Sequence, residues 1–378
     1  MAVAVKTSVI DSDAHVEEWA ETFSDRYLDP AYAKRRPAVV GSGRRAYWLI
    51  DDRLWPAMVG PGCHILGTPT GYGVVKSELS SDKPEEIDSL ELRNPGARIA
   101  DMDREGLDLQ VLYPTLFLAY PLTADVAFYG ALCRAYNSWM ADATSGAPDR
   151  LKWVATTDLG DVGFAVDELK RSKERGAIGV VLLGTQGTEL LHQPRFDPFF
   201  AQAERLKMPI AVHVGWSCPP FNQLFSELWQ SALVPFQMPV LIAFSSFVGG
   251  GILDRHPNLK VGFFETGVGW VQYWIERMEH FWQFGQRVPI GYQGSNRPRD
   301  YLRSGNLFFT CETDEKLLPQ AIELIGEDYV MFASDMPHGD REPFSAREFR
   351  QRTDLSDDVK QKILSDNTLR FYDIKRPG

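Results

Sequence analysis

The stretch "TSVIDSDAH", residues 7–15, sets a short apolar run directly against two acids and a histidine. Ser8, Val9 and Ile10 read as the end of a buried strand. Side chains on a strand alternate in direction, so Asp13 and His15 leave it on the same side. Together they offer an oxygen and an imidazole to one metal ion. One such pair is a weak signal alone, because an Asp ahead of a helix also caps unpaired N–H groups. Asp11 reads as a hydrogen-bonding loop residue. The reading turns on what the rest of the chain places beside this strand.

Seven further β-branched or aromatic runs follow: "DLQVLYPT" (108–115), "LKWVATTDL" (151–159), "AIGVVLLG" (177–184), "PIAVHVG" (209–215), "LKVGFFETG" (259–267), "NLFFTCET" (306–313) and "YVMFASDMP" (329–337). Between most of them lie stretches with helical periodicity, such as "VAFYGALCRAYNSWMADAT" (126–144) and "GFAVDELKRSKERG" (163–176). Strands alternating with helices imply parallel strands joined by right-handed crossovers. Eight such units predict a (β/α)8 TIM barrel, with functional groups at the C-terminal ends of its strands. Residues 1–378 then form a single barrel domain. The gap between the first two strands is far longer than a crossover helix needs. Its excess, about residues 24–95 with "GPGCHILGTPTGYG" inside, is predicted to be a lid or cap inserted between them.

A barrel brings its strand ends to one mouth. The first strand supplies Asp13 and His15 there, the fifth His213, the sixth Glu265 and Thr266, the seventh Glu312, and the eighth Ser334 and Asp335. An oxygen, two imidazoles and a second carboxylate suit one divalent ion, Zn2+ or Mn2+, with a position open to water or substrate. Taken singly, His213 within its apolar run reads more readily as a hydrogen-bonded core histidine than as a ligand. The joint appearance of these groups at successive strand ends favours the metal. Glu265 and His338 are expected to orient a ligand from behind or to touch substrate. His256, ahead of Pro257 at a helix end, suits the helix dipole and a structural role. Cys218 lacks an adjacent base. The aromatic stripe "WVQYWIERMEHFW" (270–282) reads as packing or a subunit contact.

The first-strand D-x-H, the fifth-strand His, the segment "DRHPNLKVGFFETGVGW" and the closing "FASDMPH" together resemble the amidohydrolase superfamily, in the branch related to aminocarboxymuconate-semialdehyde decarboxylase. The resemblance runs from about residue 7 to residue 372 and is poor near 40–95. It implies a (β/α)8 barrel with a single metal, most simply Zn2+ with Mn2+ as the alternative, held by Asp13, His15, His213 and Asp335. The chain departs from the usual H-x-H by carrying Asp13, a carboxylate-first variant that alters the charge and metal preference of the site. "AIGVVLLG" carries no Lys that could bridge two metals, which disfavours a binuclear centre.

The branch contains non-oxidative decarboxylases and hydrolases. In the leading reading the metal grips the carboxylate of an unsaturated or aromatic acid, and Asp335 protonates carbon as carbon dioxide leaves. In the alternative, Asp335 takes a proton from activated water that attacks an amide, ester, lactone or C–C bond, with His213 part of the same machinery. A barrel that binds ligand without turnover is the third reading; retention of His213 and Asp335 argues against it.

Composition narrows the partners. The net charge of -11, with no long Lys/Arg cluster, argues against nucleic acid. The four cysteines are widely separated with no C-x-x-C, which fits a reducing cytoplasm. No basic, apolar leader and no continuous apolar stretch of membrane-spanning length stands out, so a membrane partner is not expected. The resemblance implies a homodimer, and the 12% aromatic content supplies side chains for its interface. A small carboxylic acid bound by an acidic protein needs a local cation, and Arg matches it with a planar fork. "GSGRRAYWLIDDRLWP" (41–56) offers Arg44, Arg45 and Arg53 beside Tyr47, Trp48 and Trp55, either as a lid over the mouth or as a hairpin whose arginines pair with Asp51 and Asp52.

Overall fold

The computed structural model describes residues 8–41, 46–64, 85–339 and 343–376. The strands among them are β1 (Ile10–Val16), β2 (Ala38–Val40), β3 (Tyr47–Ile50), β4 (Arg53–Trp55), β5 (Leu109–Pro114), β6 (Leu151–Thr156), β7 (Gly179–Leu183), β8 (Ile210–His213), β9 (Val261–Phe264), β10 (Leu307–Cys311) and β11 (Val330–Phe332). β1 and β5 to β11 pair in sequence order as one parallel eight-stranded sheet. The last strand returns to the first. Ser12 Oγ donates to the Phe332 carbonyl at 2.7 Å, and the Asp335 N–H donates to the Asp13 carbonyl at 3.0 Å. This is the (β/α)8 arrangement that the periodicity predicts; seven of the eight predicted runs contain one barrel strand, and the first covers β1 but for Val16. The observed strands are shorter because their polar tails leave the ladder. "YVMFASDMP", for example, is extended only over Val330–Phe332, and Ser334 and Asp335 turn away at the mouth.

The inside of the barrel is filled by one set of alternating residues, including Ile10, Val111, Val154, Val181, Ala211 and Met331. Phe371, from the last helix Asn367–Tyr372, packs into the same layer, 5.1 Å from the Phe308 ring and 5.9 Å from that of Phe264. Helices form the outer layer, and their starts are fixed by local chemistry. Asp125 accepts from the N–H groups of Ala127 and Phe128 to open Val126–Thr144, and Asp161 does the same for Val162–Glu174 through Phe164 N. The stretch Leu228–Val248 is long and apolar enough by composition to cross a membrane, which corrects the sequence expectation. Its helix Met238–Val248 spends that apolarity on the barrel instead, with Phe244 and Phe247 fully buried against Phe263 of β9. Burial of each such ring stabilises the fold by about 1.5–3 kcal/mol.

The described part of the insertion contains the antiparallel sheet β2–β3–β4. Asp51 and Asp52 both take positive φ, 45° and 61°, as a tight hairpin turn between β3 and β4 requires. Trp48 and Ile50 are buried, and Trp48 meets Phe23 edge-on at 5.4 Å, so the inner face of this sheet is packed rather than open. Arg35 grips Asp51 with two hydrogen bonds, at 2.9 and 2.6 Å, and also pairs with Asp125 at 2.6 Å. The partner of Asp51 is therefore Arg35, outside the 41–56 segment from which its pairing was expected.

Candidate active site

β1 carries a bulge: its register with β5 shifts between Asp11 and Ala14, which places one extra residue in the strand ahead of His15. Asp13 and His15 both point into the mouth, where they meet His213 from the end of β8. His15 Nε2 lies 3.4 Å from Asp13 Oδ1, and His213 Nε2 lies 3.4 Å from Asp13 Oδ2. Glu265 follows β9, with its Oε2 3.3 Å from His213 Nε2 and 3.8 Å from His15 Nε2. Asp335 follows β11, with its Oδ1 3.6 Å from His15 Nε2. Five of the residues predicted from strand ends thus converge.

The two histidines are held in one tautomer by their surroundings. Nδ1 of His15 is 2.9 Å from the Pro114 carbonyl, and Nδ1 of His213 is 3.0 Å from that of Val214. A carbonyl oxygen only accepts, so each Nδ1 carries the proton and each Nε2 presents its lone pair to the shared space. Both Nε2 atoms and both carboxylate oxygens of Asp13 are buried with no hydrogen-bond partner. Four orphaned polar atoms facing one another would cost several kcal/mol without a partner. A divalent cation supplies that partner. Oxygen and imidazole-nitrogen donors are the set such an ion takes, so the residues fit it.

Burial and mutual contact set the charges. Burial disfavours the charged Asp13 carboxylate, but His213 and His15 outweigh it and hold the carboxyl well below the usual range. Burial, reinforced by the charge of His338, pushes His15 down to about 4, which keeps its Nε2 unprotonated at neutral pH. For His213, burial is outweighed by Asp13 and Asp335, and its pKa rises.

His338 stacks on His15 at 4.1 Å between ring centres, and its Nδ1 lies 2.6 Å from Asp335 Oδ1. Its Nε2 is 3.0 Å from Thr115 Oγ1. The two ring nitrogens of His338 thus face Thr115 on one side and Asp335 on the other. Glu265 and Asp335 both have left-handed backbones, φ 60° and 53°, a costly conformation for residues other than Gly that recurs at functional sites.

Supporting residues carried a weak sequence signal or none. Asp11 accepts from Ser334 N at 2.9 Å, Ser334 Oγ at 2.6 Å and Gln110 Nε2 at 2.9 Å, and so latches the last strand end to the first. Arg98, fully buried on the helix Pro95–Glu105, donates to the carbonyls of His15 and Met336, each at 3.0 Å, and to Gln110 at 2.8 Å. The Asp11 latch was readable only as a loop hydrogen bond. Nothing distinguishes Arg98 from a surface helix arginine. His256 caps its helix near Asp197, at 3.5 Å, which agrees with a structural role.

Of the three predicted arginines, the described one, Arg53, stands apart from these groups. Arg44 and Arg45 lie outside the described residues. Arg53 is exposed on β4 and lines a cavity of about 380 Å³ with Trp55, His64, Tyr120 and Trp216. A second cavity, of about 320 Å³, opens on Glu265 and Asp335. Glu312 and Asp314 also line it, and no Lys or Arg is among its described lining residues.

Comparison with known proteins gives these features a context. A family model described as amidohydrolase matches residues 10–374. The 2-amino-3-carboxymuconate-6-semialdehyde decarboxylase of Dictyostelium discoideum is 26% identical over 291 residues, 76% of this chain and 78% of that protein. The gamma-resorcylate decarboxylase of Rhodococcus jostii (strain RHA1) is 26% identical over 268 residues, 65% of this chain and 77% of that protein. The 5-carboxyvanillate decarboxylase of Novosphingobium aromaticivorans, solved with bound manganese and 3-methoxy-4-hydroxy-5-nitrobenzoic acid, has the same fold: TM-score 0.69, 19% identity and 98% of each chain covered.

Proposed function

Since this chain belongs to the amidohydrolase family, we propose that it is a metal-dependent carboxy-lyase that removes carbon dioxide from an aromatic or unsaturated carboxylic acid without an oxidant. The observation that carries this reading is the set of bare, buried donor atoms of Asp13, His15 and His213, with Asp335 held at their edge by His338. The decarboxylase relatives, each about a quarter identical, support the choice of reaction.

Asp13, His15 and His213 would hold the ion, with a carboxylate from the β9 or β11 end completing the set. When bound, the ion supplies Lewis acidity at the oxygens of the acid. Asp335 delivers its proton to the carbon that bears the carboxylate. The carbon–carboxylate bond then breaks, its electron pair stays on the ring or alkene, and carbon dioxide departs. His338 keeps Asp335 aimed, and the proton returns to Asp335 from solvent at the mouth. The sequence resemblance favours Zn2+, whereas manganese sits in the carboxyvanillate relative; the donors of this site accommodate both. The cap sheet β2–β4 would close over the mouth, and a homodimer is the working assembly.

One observation favours hydrolysis instead: the cavity beside Asp335 has acidic walls and no described Lys or Arg, which suits a neutral substrate. The test is direct. Protein stripped of metal and reloaded with Mn2+ or Zn2+ is incubated with ortho-hydroxybenzoic and muconate-type acids, and released carbon dioxide is measured against a chelated control. Metal-dependent release supports the carboxy-lyase. Cleavage of neutral esters or lactones with no release from any acid supports the hydrolase.

A further inference from the structure

We propose that Arg98 is a positioning residue for the metal site: gripped by Gln110, its guanidinium fixes how His15 and Asp335 stand to one another across the seam where the last barrel strand meets the first. The inference rests on the metal-dependent reading above and names what holds the donor atoms of that site in register.

His15 Nε2 and Asp335 Oδ1 lie 3.6 Å apart, yet the strands that carry them are not ladder partners. Every other junction of the barrel has a run of inter-strand bonds that sets its register, whereas β1 and β11 stand at the two ends of that order. The other side of β1 is irregular too, because its register with β5 shifts between Asp11 and Ala14. At this seam the alignment therefore depends on individual bonds. Two are made by the backbone: His15 N donates to the Met336 carbonyl at 2.6 Å, and Asp335 N to the Asp13 carbonyl at 3.0 Å.

Arg98 locks these two segments together. Its Nη2 donates to the carbonyls of His15 and Met336, each at 3.0 Å, so one nitrogen bridges the seam. Its Nε donates to Gln110 Oε1 on β5 at 2.8 Å, and Gln110 Nε2 donates in turn to Asp11 Oδ2 at 2.9 Å. Asp11 then holds Ser334, beside Asp335. The row Arg98–Gln110–Asp11 thus ties β1, β5 and the segment after β11 to one another. Arg98 is wholly buried, so these charge-assisted bonds do not compete with solvent, and its planar fork directs them at fixed angles. A staple for the helix Pro95–Glu105 could use any carbonyl; the two taken here belong to His15 itself and to the residue after Asp335. Lys, with a single ammonium, cannot hold Gln110 and both carbonyls in that plane.

The test uses metal-free full-length protein titrated with Mn2+. Electron paramagnetic resonance reads the free ion and the spectrum of the bound one, and circular dichroism reads folding. Wild type is expected to take up one equivalent. Folded Arg98→Lys should bind at least about tenfold more weakly, the scale on which loss of a group behind a ligand acts, and the spectrum of its bound ion should change. A role confined to folding would lower the melting temperature of R98K and leave affinity and spectrum as in wild type, and that result overturns the assignment. Should R98K fail to fold, Gln110→Met decides, because it keeps the length of the side chain and releases Arg98 Nε. Weaker binding with an altered spectrum in Q110M supports the assignment, and wild-type affinity and spectrum overturn it. No uptake by wild type would instead defeat the metal reading itself, and this inference with it.

Discussion

His338 Nδ1 lies 2.6 Å from Asp335 Oδ1, and the opposite ring nitrogen of His338 is 3.0 Å from the Thr115 hydroxyl. A carboxylate held this closely has its orientation fixed, which is what an acid aimed at one carbon needs. Asp335→Asn keeps the shape and an oxygen for His338 but carries no transferable proton. Turnover should fall by roughly a hundredfold or more, the usual scale for a lost acid–base group, with metal content retained. Steady-state rates and elemental analysis on the same preparation check both halves; near-normal turnover would remove Asp335 from the mechanism.

His213 faces Asp13 and Glu265 with a bare Nε2, while its Nδ1 is anchored to Val214. His213→Ala should therefore lose most of the metal. The barrel should remain folded, because its closure runs through backbone bonds such as Asp335 N to Asp13 O and does not depend on that ring. Mass-spectrometric metal content, read beside circular dichroism, decides the matter. Folded variant with unchanged metal would show that His213 is not a ligand.

A pH dependence of stability follows from the latch. Burial pushes the Asp11 carboxyl up to about 7, against hydrogen bonds from Ser334 and Gln110 that pull it down. Between the ordinary carboxylate value, about 3.9, and this one, the folded protein keeps a proton that the unfolded chain releases. Raising the pH through that window therefore destabilises the fold. Asp11→Asn removes the titration. In metal-free protein, the melting temperature of wild type relative to D11N should fall as the pH rises from about 4 to about 7. A constant difference would mean that Asp11 stays ionised throughout.

The barrel and the core of the site could be read in the sequence for a physical reason. Parallel strands buried on both faces leave unbroken apolar runs, and functional groups must sit where those runs end, so Asp13, His15, His213, Glu265 and Asp335 were marked by position alone. What escaped notice depends on contacts between distant residues. Asp11 and Ser334 are far apart in the chain and meet only because the last strand returns to the first. Arg98 is a helix residue whose carbonyl partners, His15 and Met336, are brought to it by barrel closure. The insertion resisted because its inward face is three short strands with little periodicity, and the arginine that grips Asp51 is Arg35.

Arg53 is the described arginine of the cap segment, exposed beside Trp55, His64 and Trp216. If it meets the carboxylate or hydroxyl of the acid, Arg53→Ala should raise KM by about tenfold or more with metal content unchanged, the cost of one charged hydrogen bond. Arg44→Ala and Arg45→Ala complete the series. Wild-type kinetics in all three variants would take this segment out of substrate recognition and favour the neutral-substrate hydrolase.

On the helix Trp270–Gly285, Val271 and Ile275 are buried, while Tyr273, Phe281 and Phe284 stand 64%, 52% and 49% exposed. Helical spacing puts these three on one outward face. Aromatic side chains in such a place are typical of interface cores, so the protein should be a homodimer. Light scattering at micromolar concentration should return twice the chain mass of 42.7 kDa, and a Tyr273→Glu, Phe281→Glu double variant should shift it to the monomer. A monomer mass for wild type would contradict the assembly.

The central claim is that carbon dioxide leaves and a proton takes its place on the same carbon. It is tested most directly in D2O, with the acid that proves to be consumed, labelled with 13C at its carboxyl group. The account expects one 13CO2 for each acid lost and one deuterium at the vacated carbon of the product, both abolished by chelation. Consumption of the acid with the label retained and solvent oxygen in the product would contradict it.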